Sequence, residues 1–415
     1  MPRTPFTTDV PTAWRGAADA EFATRHRLVA YSSAVCFAYV CAAVALWLGG
    51  AWPYDRDGFP AVVDFLGVWS AGRMALEGQA AAVYDWALHQ RVEARTIGRD
   101  IAEYFGWHYP PTFLLVAAPF AALPYVPAWM AWIAFGLAAM AACVRLIRPG
   151  AAFVLAALAA PSTLFCAMIG QNGFLTAGLV AGAFATLDRR PWCSGVFIGL
   201  LTYKPHFGVL IPLALLLTRR WSAFAAAALT ASALVAASAL VFGADVWAAF
   251  FQSASATVND NLRKGSSDWS KLQSVFSLFQ QTGGGEGFAW AMHLALAAAA
   301  AAAALRTWMG DTTTEVRAAA LIAASFLATP YAYIYDSVVL TVGALFLLAD
   351  ATDRGFRPFD KVLLALCCLL PALFQVVGSV AAPSAAALLL CLAVRRAGPA
   401  SVRYGRAGYA LPGAL

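Results

Sequence analysis

The chain has 415 residues, of which 61% are hydrophobic and 12% charged, and its mean hydropathy is +0.68. Soluble domains carry charge on roughly a quarter of their residues, so this composition excludes an ordinary soluble protein and predicts an integral membrane protein. The net charge of +6 comes from basic residues that flank apolar runs, which is typical of membrane topology and not of a nucleic-acid-binding surface.

The N-terminal residues 1–27 are polar and precede a long apolar run at 28–50. This run exceeds the roughly 7 to 15 residues of a signal-peptide core, so we expect a retained first span. Residues 1–27 would then form a cytoplasmic tail.

Further apolar runs predict an all-α bundle of about 12 transmembrane helices, each approaching the roughly 20 residues that cross the hydrocarbon. The pair 191–203 and 206–218 is too short to cross unaided, and we expect broken or locally thinned helices around a polar cavity. The predicted spans are 28–50, 124–147, 151–168, 172–187, 191–203, 206–218, 221–243, 286–306, 318–331, 336–350, 361–379 and 384–395.

Basic residues cluster at the ends of these spans and predict their orientation. If every cluster is cytoplasmic, the spans alternate without contradiction. We therefore expect a multi-pass inner-membrane protein whose membrane domain, 28–396, is followed by a cytoplasmic tail at 397–415. The clusters are Arg25/Arg27, Arg145/Arg148, Arg189/Arg190, Arg219/Arg220, Arg306/Arg317, Arg354/Arg357/Lys361 and Arg395/Arg396.

Two polar segments face the outside in this topology. The first, 51–111, contains amphipathic helical patterns at 64–78 and 84–99, and the second is 244–285. Residues 112–123 are too short for a span, and we expect them to form a half-helix that dips in from outside.

Polar side chains near the outer ends of the spans converge on one side of the predicted membrane domain. Ionisable groups at membrane depth are costly and usually line a functional cavity, so this convergence predicts a site. The residues are Asp64, Arg73, His108, Tyr109, Gln171, Asn172, Lys204, His206, Tyr333, Tyr335 and Asp336.

Asp64 heads the amphipathic run after the first span, where a carboxylate can accept a proton from a substrate hydroxyl. It can instead cap the helix that follows, because aspartate is a favoured N-cap residue. Asp55 and Asp57 are rivals, since two carboxylates one residue apart can bind a divalent metal, although a solvated loop is the simpler explanation.

The other candidates also have structural alternatives. Lys204 can extend its ammonium group toward the interface, Gln171 and Asn172 can join helices by hydrogen bonds, and the tyrosines of 329–336 can form an interfacial aromatic belt. The eight cysteines show no zinc or disulfide spacing and the histidines stand alone, so we expect no metal site and no cofactor.

A series of motifs occurs in a specific order along the chain: Asp64-Phe65, Gly72, Gly78, Val83-Tyr84-Asp85, Tyr109-Pro110-Pro111-Thr112-Phe113, Pro119, Leu123-Pro124, Gly170-Gln171-Asn172, Gly195, Lys204-Pro205 and Arg219-Arg220-Trp221. Together these motifs resemble glycosyltransferase family 87. That family consists of GT-C type membrane enzymes, including the polyprenol-phosphate-mannose-dependent mannosyltransferases. The resemblance covers 64–221, with a weaker similarity at 329–336.

The resemblance implies a GT-C type bundle and an inverting transfer of a hexose, with mannose favoured, from a polyprenyl-phosphate donor. The acceptor would be a hydroxyl of a lipid-linked or envelope glycan on the outer face, and Asp64 would be the general base. This chain departs from its relatives at 329–336, where they carry histidine and it has Tyr331, Tyr333, Tyr335 and Asp336.

The chemistry assigns expected roles to the remaining candidates. A polyprenyl phosphate leaves as an anion, and Lys204 with Arg73 or His206 would stabilise its charge. On the donor side we also expect Gln171, Asn172, Tyr333, Tyr335 and Asp336, and on the acceptor side His108 and Tyr109. The partners expected are the lipid-linked donor, the acceptor and membrane lipids, with no nucleic acid.

A transporter or flippase of lipid-linked sugars is the alternative function, because it would also need many spans, broken helices and a polar cavity. The sequence shows no inverted repeat, since the long outer segment 51–111 has no counterpart in the second half. This asymmetry favours an enzyme.

Overall fold

The computed structural model of the chain describes residues 20, 22–54, 58, 63–100, 106–258 and 269–397. Over these ranges the chain is all-helical and has no strand, and Leu272 and Tyr333 form an isolated backbone bridge. Asp55 and Asp57, as well as most of both predicted tails, lie outside the described residues.

The α-helices are named here in chain order. They are α1 (Arg25–Leu48), α2 (Val63–Leu76), α3 (Trp86–Ile97), α4 (Leu114–Ala121), α5 (Tyr125–Ile147), α6 (Ala151–Ala159), α7 (Pro161–Ile169), α8 (Gly173–Thr186), α9 (Pro191–Leu200), α10 (Pro205–Gly208), α11 (Leu210–Leu217), α12 (Trp221–Phe242), α13 (Asp245–Val258), α14 (Val275–Gln281), α15 (Glu286–Met309), α16 (Thr314–Ala328), α17 (Val338–Arg354), α18 (Asp360–Leu369), α19 (Phe374–Val377) and α20 (Ala381–Arg396).

Six helical segments of the described ranges are long and apolar enough to cross a membrane, or seven if the bent pair α6–α7 is one span. The chain is therefore an integral membrane protein, whereas the count of about twelve spans stays a prediction. The six segments are Arg25–Leu48, Tyr125–Ile147, Trp221–Phe242, Glu286–Met309, Ile334–Arg354 and Asp360–Arg396.

Two of the three shorter apolar helices lie in segments that the sequence predicts to be short or broken. The third, Gly173–Thr186, lies in the predicted span 172–187, and the predicted span 151–168 is bent by 60° between α6 and α7. Pro111–Ala121 overlaps the predicted half-helix 112–123, whose entry from the outer side stays a prediction, and Pro205–Leu217 is separated from α9 by a 3₁₀ turn at Leu201–Tyr203. Pro205 begins α10, as expected of a residue that lacks an amide hydrogen and suits the first helical turn. The break places Lys204 between two helices.

The interior of the bundle is formed by α8, α16 and α17, which are buried along most of their length. In contrast, α1 and α12 leave most of their apolar side chains exposed, as expected of helices that face lipid. Helices α9 and α12 pack closely at Gly195, where an added Cβ would lie 2.4 Å from the carbonyl oxygen of Ala223.

Several of the basic clusters lie together at one end of the bundle, called here the basic end. Arg148 pairs with Asp353 at 2.8 Å, which joins the end of α5 to the end of α17. Arg220 pairs with Asp188 at 2.6 Å, and Asp188 also accepts a hydrogen bond from Thr314. These contacts bring the loops to one end of the bundle, and the side of the membrane on which that end lies stays a prediction.

A buried ionic network at the basic end joins three more helix ends. Arg396 donates to Asp350 at 2.7 Å and to Asp360 at 2.5 Å, and all three side chains are at most 3% exposed. Asp350 also accepts a hydrogen bond from Thr313 at 2.6 Å. The network fixes the ends of α17 and α20 and the beginnings of α16 and α18.

Candidate functional site

Asp64 lies in the first turn of α2, one residue inside the helix, and its side chain is partly exposed. A carboxylate there is favoured by the partial positive charge of the helix N-terminus. Helix α2 packs tightly on α4, because an added Cβ at Gly72 would lie 2.6 Å from the carbonyl oxygen of Ala117. The helix that carries Asp64 is therefore firmly positioned.

The turn Gly170–Gly173 between α7 and α8 brings amide side chains to this region. Gly170 ends α7 in the left-handed conformation with φ +79°, which glycine adopts without strain. The Tyr109 hydroxyl donates to the Gln171 side-chain oxygen at 3.1 Å, and the same oxygen accepts from the Asn172 backbone amide at 3.1 Å. Gln171 thus joins the segment before α4 to the turn.

Asn172 is buried, with 1% of its surface exposed, and neither its Oδ1 nor its Nδ2 makes a hydrogen bond among the described residues. The side chain lies near the Tyr109 hydroxyl without satisfying hydrogen-bond geometry. A buried amide without partners costs free energy, which a ligand that supplies those partners would recover.

Lys204 and Asp336 form a buried ion pair. The Nζ atom lies 2.5 Å from Oδ1, and the side chains are 3% and 2% exposed. The second oxygen of Asp336 accepts from the Tyr333 backbone amide at 3.0 Å, and the Lys204 ammonium lies 5.0 Å from the centre of the Tyr335 ring. Lys204 therefore does not extend to an interface.

Tyr333 and Tyr335 stack nearly parallel, with ring centres 5.4 Å apart and an interplanar angle of 2°. The segment 244–285, predicted to face outside, reaches this point, because Leu272 forms its backbone bridge with Tyr333 and the Gln273 amide donates to the Ala332 carbonyl at 2.7 Å. Tyr335 is buried and Tyr333 is partly buried, so these two rings pack against the protein and do not form an interfacial belt.

Electrostatic interactions link these pieces to Asp64. The carboxylate of Asp64 interacts with both Tyr109 and Tyr335, and Asp336 interacts with the same two tyrosines. The structure therefore links six predicted residues by direct contacts and places Asp64 within electrostatic range of them, and we call these seven residues the central cluster. Its members are Asp64, Tyr109, Gln171, Asn172, Lys204, Tyr335 and Asp336.

The other predicted residues lie at or beyond the edge of the central cluster. Arg73 pairs with Glu77 on the surface, and it lies about 13 Å along α2 from Asp64 on the opposite face. His206 is partly buried, interacts electrostatically with Lys204, and has no hydrogen-bond partner for its Nε2 among the described residues. His108 contacts the Trp86 ring at 5.6 Å, and burial lowers its pKa to about 4.

Several residues of this region were not predicted from the sequence. His89 and Glu93 are fully buried on α3, with His89 Nδ1 3.6 Å from Glu93 Oε1, and His89 Nε2 lies 3.2 Å from the Gly67 carbonyl oxygen on α2. Their spacing of four residues within the predicted helix 84–99 was a usable signal. Tyr203 was also missed, although it precedes Lys204 and its hydroxyl lies 2.6 Å from that of Thr176.

In the part of the chain that the structure describes, no three His, Cys, Asp or Glu side chains lie together as metal ligands would. The polar groups of the central cluster are instead amides, phenols, two carboxylates and one ammonium group. Such a set can accept a proton, hydrogen-bond hydroxyls and neutralise one anion.

The sequence model of glycosyltransferase family 87 matches residues 107–330 of the chain. The matched region contains Tyr109, Gln171, Asn172 and Lys204, begins after Asp64, and ends just before Tyr333. No solved structure matches the chain.

An alpha-(1->3)-arabinofuranosyltransferase of Mycobacterium tuberculosis (strain CDC 1551 / Oshkosh) is 32% identical over 134 residues, covering 29% of this chain and 31% of the relative. The protein of the same name from strain ATCC 25618 / H37Rv matches to the same extent. The chain thus aligns with 31% of the length of these curated relatives.

Proposed function

Because the chain belongs to glycosyltransferase family 87, we propose that it transfers a sugar from a polyprenyl phosphate to a hydroxyl of a lipid-linked or envelope glycan. The observation that carries this proposal is the central cluster, in which a partly exposed carboxylate, Asp64, interacts with the tyrosines around the buried Lys204–Asp336 pair. Membership of a transferase family favours this activity over a flippase.

Asp64 is the general base of the proposed reaction. A sugar hydroxyl is a weak nucleophile, and a carboxylate within hydrogen-bond distance accelerates its attack roughly 10²- to 10⁴-fold by accepting the proton. Attack on the anomeric carbon and departure of the phosphate in one displacement invert the configuration at that carbon. The partial exposure of Asp64 suits a group that must meet an incoming acceptor.

Lys204 is the proposed ligand of the donor phosphate. An ammonium group in a site that excludes water stabilises the charge that develops on the leaving phosphate. Asn172 is proposed to hydrogen-bond the sugar hydroxyls, since its buried amide has no other partner among the described residues. His108, which packs against Trp86 at the beginning of α3, and Tyr109 beside it are proposed to contact the acceptor.

Two sugars are candidates for the transferred group. The family resemblance favours mannose, whereas the two relatives that are 32% identical over 134 residues are named as arabinofuranosyltransferases. We propose to test both as donors, because the central cluster offers hydroxyl-binding groups without a feature that selects a six-membered ring over a five-membered one.

The proposed topology places the basic end in the cytoplasm and the central cluster on the outer side. The support is the positive-inside rule, together with the ion pairs that join the basic loops at one end. Under this proposal both termini are cytoplasmic, and residues 28–396 form the membrane domain.

The test is transfer by the purified protein from polyprenyl-phosphate mannose and polyprenyl-phosphate arabinofuranose, with Asp64→Asn as the variant. We expect turnover with the accepted donor to fall roughly 10²- to 10⁴-fold while donor binding persists. The matched control is Asp85→Asn, because Asp85 caps α3 through the Ala87 and Leu88 amides and asparagine caps equally well. Full turnover by Asp64→Asn would refute the assignment of the base.

A further inference from the structure

The Lys204–Asp336 pair raises a problem of charge that the proposed function must solve. A polyprenyl-phosphate sugar is a phosphodiester with one negative charge. Lys204 provides one positive charge, and Asp336 already neutralises it at 2.5 Å in a position where both side chains are at most 3% exposed. Binding the donor to Lys204 therefore leaves two anions beside one buried cation.

The groups that surround Asp336 supply no second cation among the described residues. Besides Lys204, the titratable groups that interact with it are three tyrosines and one cysteine, each contributed by a different segment. They are Tyr109 before α4, Cys166 on α7, Tyr203 after α9 and Tyr335 after α16. An uncompensated carboxylate in such surroundings favours its neutral form, because burial penalises the charged one.

His206 is the competing proton acceptor, since it interacts electrostatically with Lys204 and its buried Nε2 has no hydrogen-bond partner in the described part of the chain. A proton on His206 would place a second cation next to Lys204. When the phosphate binds Lys204, the Asp336 carboxylate loses its counter-ion, and a proton on Asp336 removes that uncompensated charge. Asp336 is also the group that directly contacts Lys204.

We propose that Asp336 takes up one proton when the donor phosphate binds to Lys204, so that the phosphate replaces the carboxylate as counter-ion of the lysine. This inference rests on the proposed function. The charges balance: a neutral ion pair, one proton and a monoanionic phosphodiester give a neutral complex. Departure of the ligand returns the proton to solvent and restores the pair.

The experiment measures protons bound per ligand. The probe is farnesyl methyl phosphate, a phosphodiester with a prenyl chain and no sugar, whose own charge does not change near neutral pH. Calorimetric titration in two buffers of different ionisation enthalpy should show uptake of about one proton per probe, and affinity should weaken about tenfold for each pH unit while the free pair is ionised.

Variants identify the group that accepts the proton. Asp336→Asn keeps one side-chain oxygen, which can accept from Lys204 or from the Tyr333 amide, and it should bind the probe without proton uptake and without pH dependence. His206→Gln and Asp64→Asn should both retain the uptake. Uptake that persists in Asp336→Asn, or disappears in His206→Gln, overturns the proposal. If Asp336→Asn does not fold, the wild type and His206→Gln decide the question.

Failure of this inference is distinguishable from failure of the proposed function. Binding of the probe with no proton uptake overturns the role of Asp336 alone. Absence of probe binding at every pH overturns the polyprenyl-phosphate donor and the proton coupling together. Farnesyl methyl ether, which lacks the phosphate, controls for partition of the prenyl chain into the detergent or lipid around the protein.

Discussion

Gly173 and Tyr335 are in contact through their backbones, although they belong to different halves of the chain. A Cβ atom added to Gly173 would lie 2.3 Å from the carbonyl oxygen of Tyr335. No side chain fits there, so the turn that carries Gln171 and Asn172 lies directly against the segment that carries Asp336. The contact sets the distance between the amide and the ionic parts of the central cluster.

Gly173→Ala should therefore disturb both parts together. We expect a loss of about 1–3 kcal/mol in the free energy of unfolding, because the two backbones must move apart, and a loss of donor binding. The measurements are thermal unfolding and probe titration. Gly208→Ala is the matched control, since an added Cβ there meets nothing within 4 Å. Equal behaviour of the two variants would contradict the importance of the contact.

Asn172→Ala should separate binding from stability. The amide makes no hydrogen bond among the described residues, so its removal should leave the melting temperature unchanged or raise it. Loss of contacts to sugar hydroxyls should raise the KM for the donor about tenfold, equivalent to about 1.4 kcal/mol. Thr176→Val, which breaks the bond to the Tyr203 hydroxyl, should instead lower the melting temperature. A lower melting temperature for Asn172→Ala would indicate a structural role.

Replacing Lys204 alone should be more harmful to stability than replacing the whole pair. Lys204→Met leaves Asp336 buried without its counter-ion, and we expect a loss of about 3–5 kcal/mol. Lys204→Met combined with Asp336→Leu removes both charges and should recover much of that loss, while phosphate binding stays absent. Unfolding measurements and probe titration on the two variants check this. Recovery of probe binding in the double variant would exclude Lys204 as the phosphate ligand.

The packing of α3 on α2 should make the protein sensitive to acid. Burial lowers the pKa of His89 to about 4 from its ordinary value of 6.5, so the folded state holds the ring neutral. Above pH 6.5 the ring is neutral in both the folded and the unfolded state, so the pKa shift of His89 costs no stability there. As the pH falls toward 4, only the unfolded chain binds the proton, and about 3 kcal/mol of stability is lost.

His89→Gln should reduce this sensitivity, because glutamine can donate to the Gly67 carbonyl without titrating. Melting temperatures at about pH 7.5 and about pH 4.5 should differ less in the variant than in the wild type. An equal loss in both proteins would assign the acid sensitivity to other groups, with His108 the next to examine because its pKa is lowered in the same way.

Local patterns in the sequence were sufficient to predict the helices that position the site. The pattern at 64–78 corresponds to α2 (Val63–Leu76), and the predicted interruption near Lys204 is present, because proline and a short apolar run are local signals. The partner of Lys204 was not predictable in this way. Asp336 lies 132 residues away, and no periodicity along the chain indicates which buried charges pair across a bundle.

The limits of the site prediction have the same physical origin. The side to which a polar residue belongs follows from span alternation, so the convergence of Asp64, Tyr109 and Asp336 was predictable. The prediction for Arg73 did not consider on which face of α2 its side chain lies. Because Arg73 follows Asp64 by nine residues, its side chain lies on the opposite face of the helix. Applying the helical period to α2 would have separated these two residues.

The network of Arg396, Asp350 and Asp360 lies at the end of the bundle away from the central cluster. Buried ion pairs at one end of the bundle resist separation of the helices at that end. The ends of α16, α17 and α20 near Tyr333 are held by fewer charges. Under the proposed function, a long lipid whose phosphate binds Lys204 would therefore enter between the helices at this end.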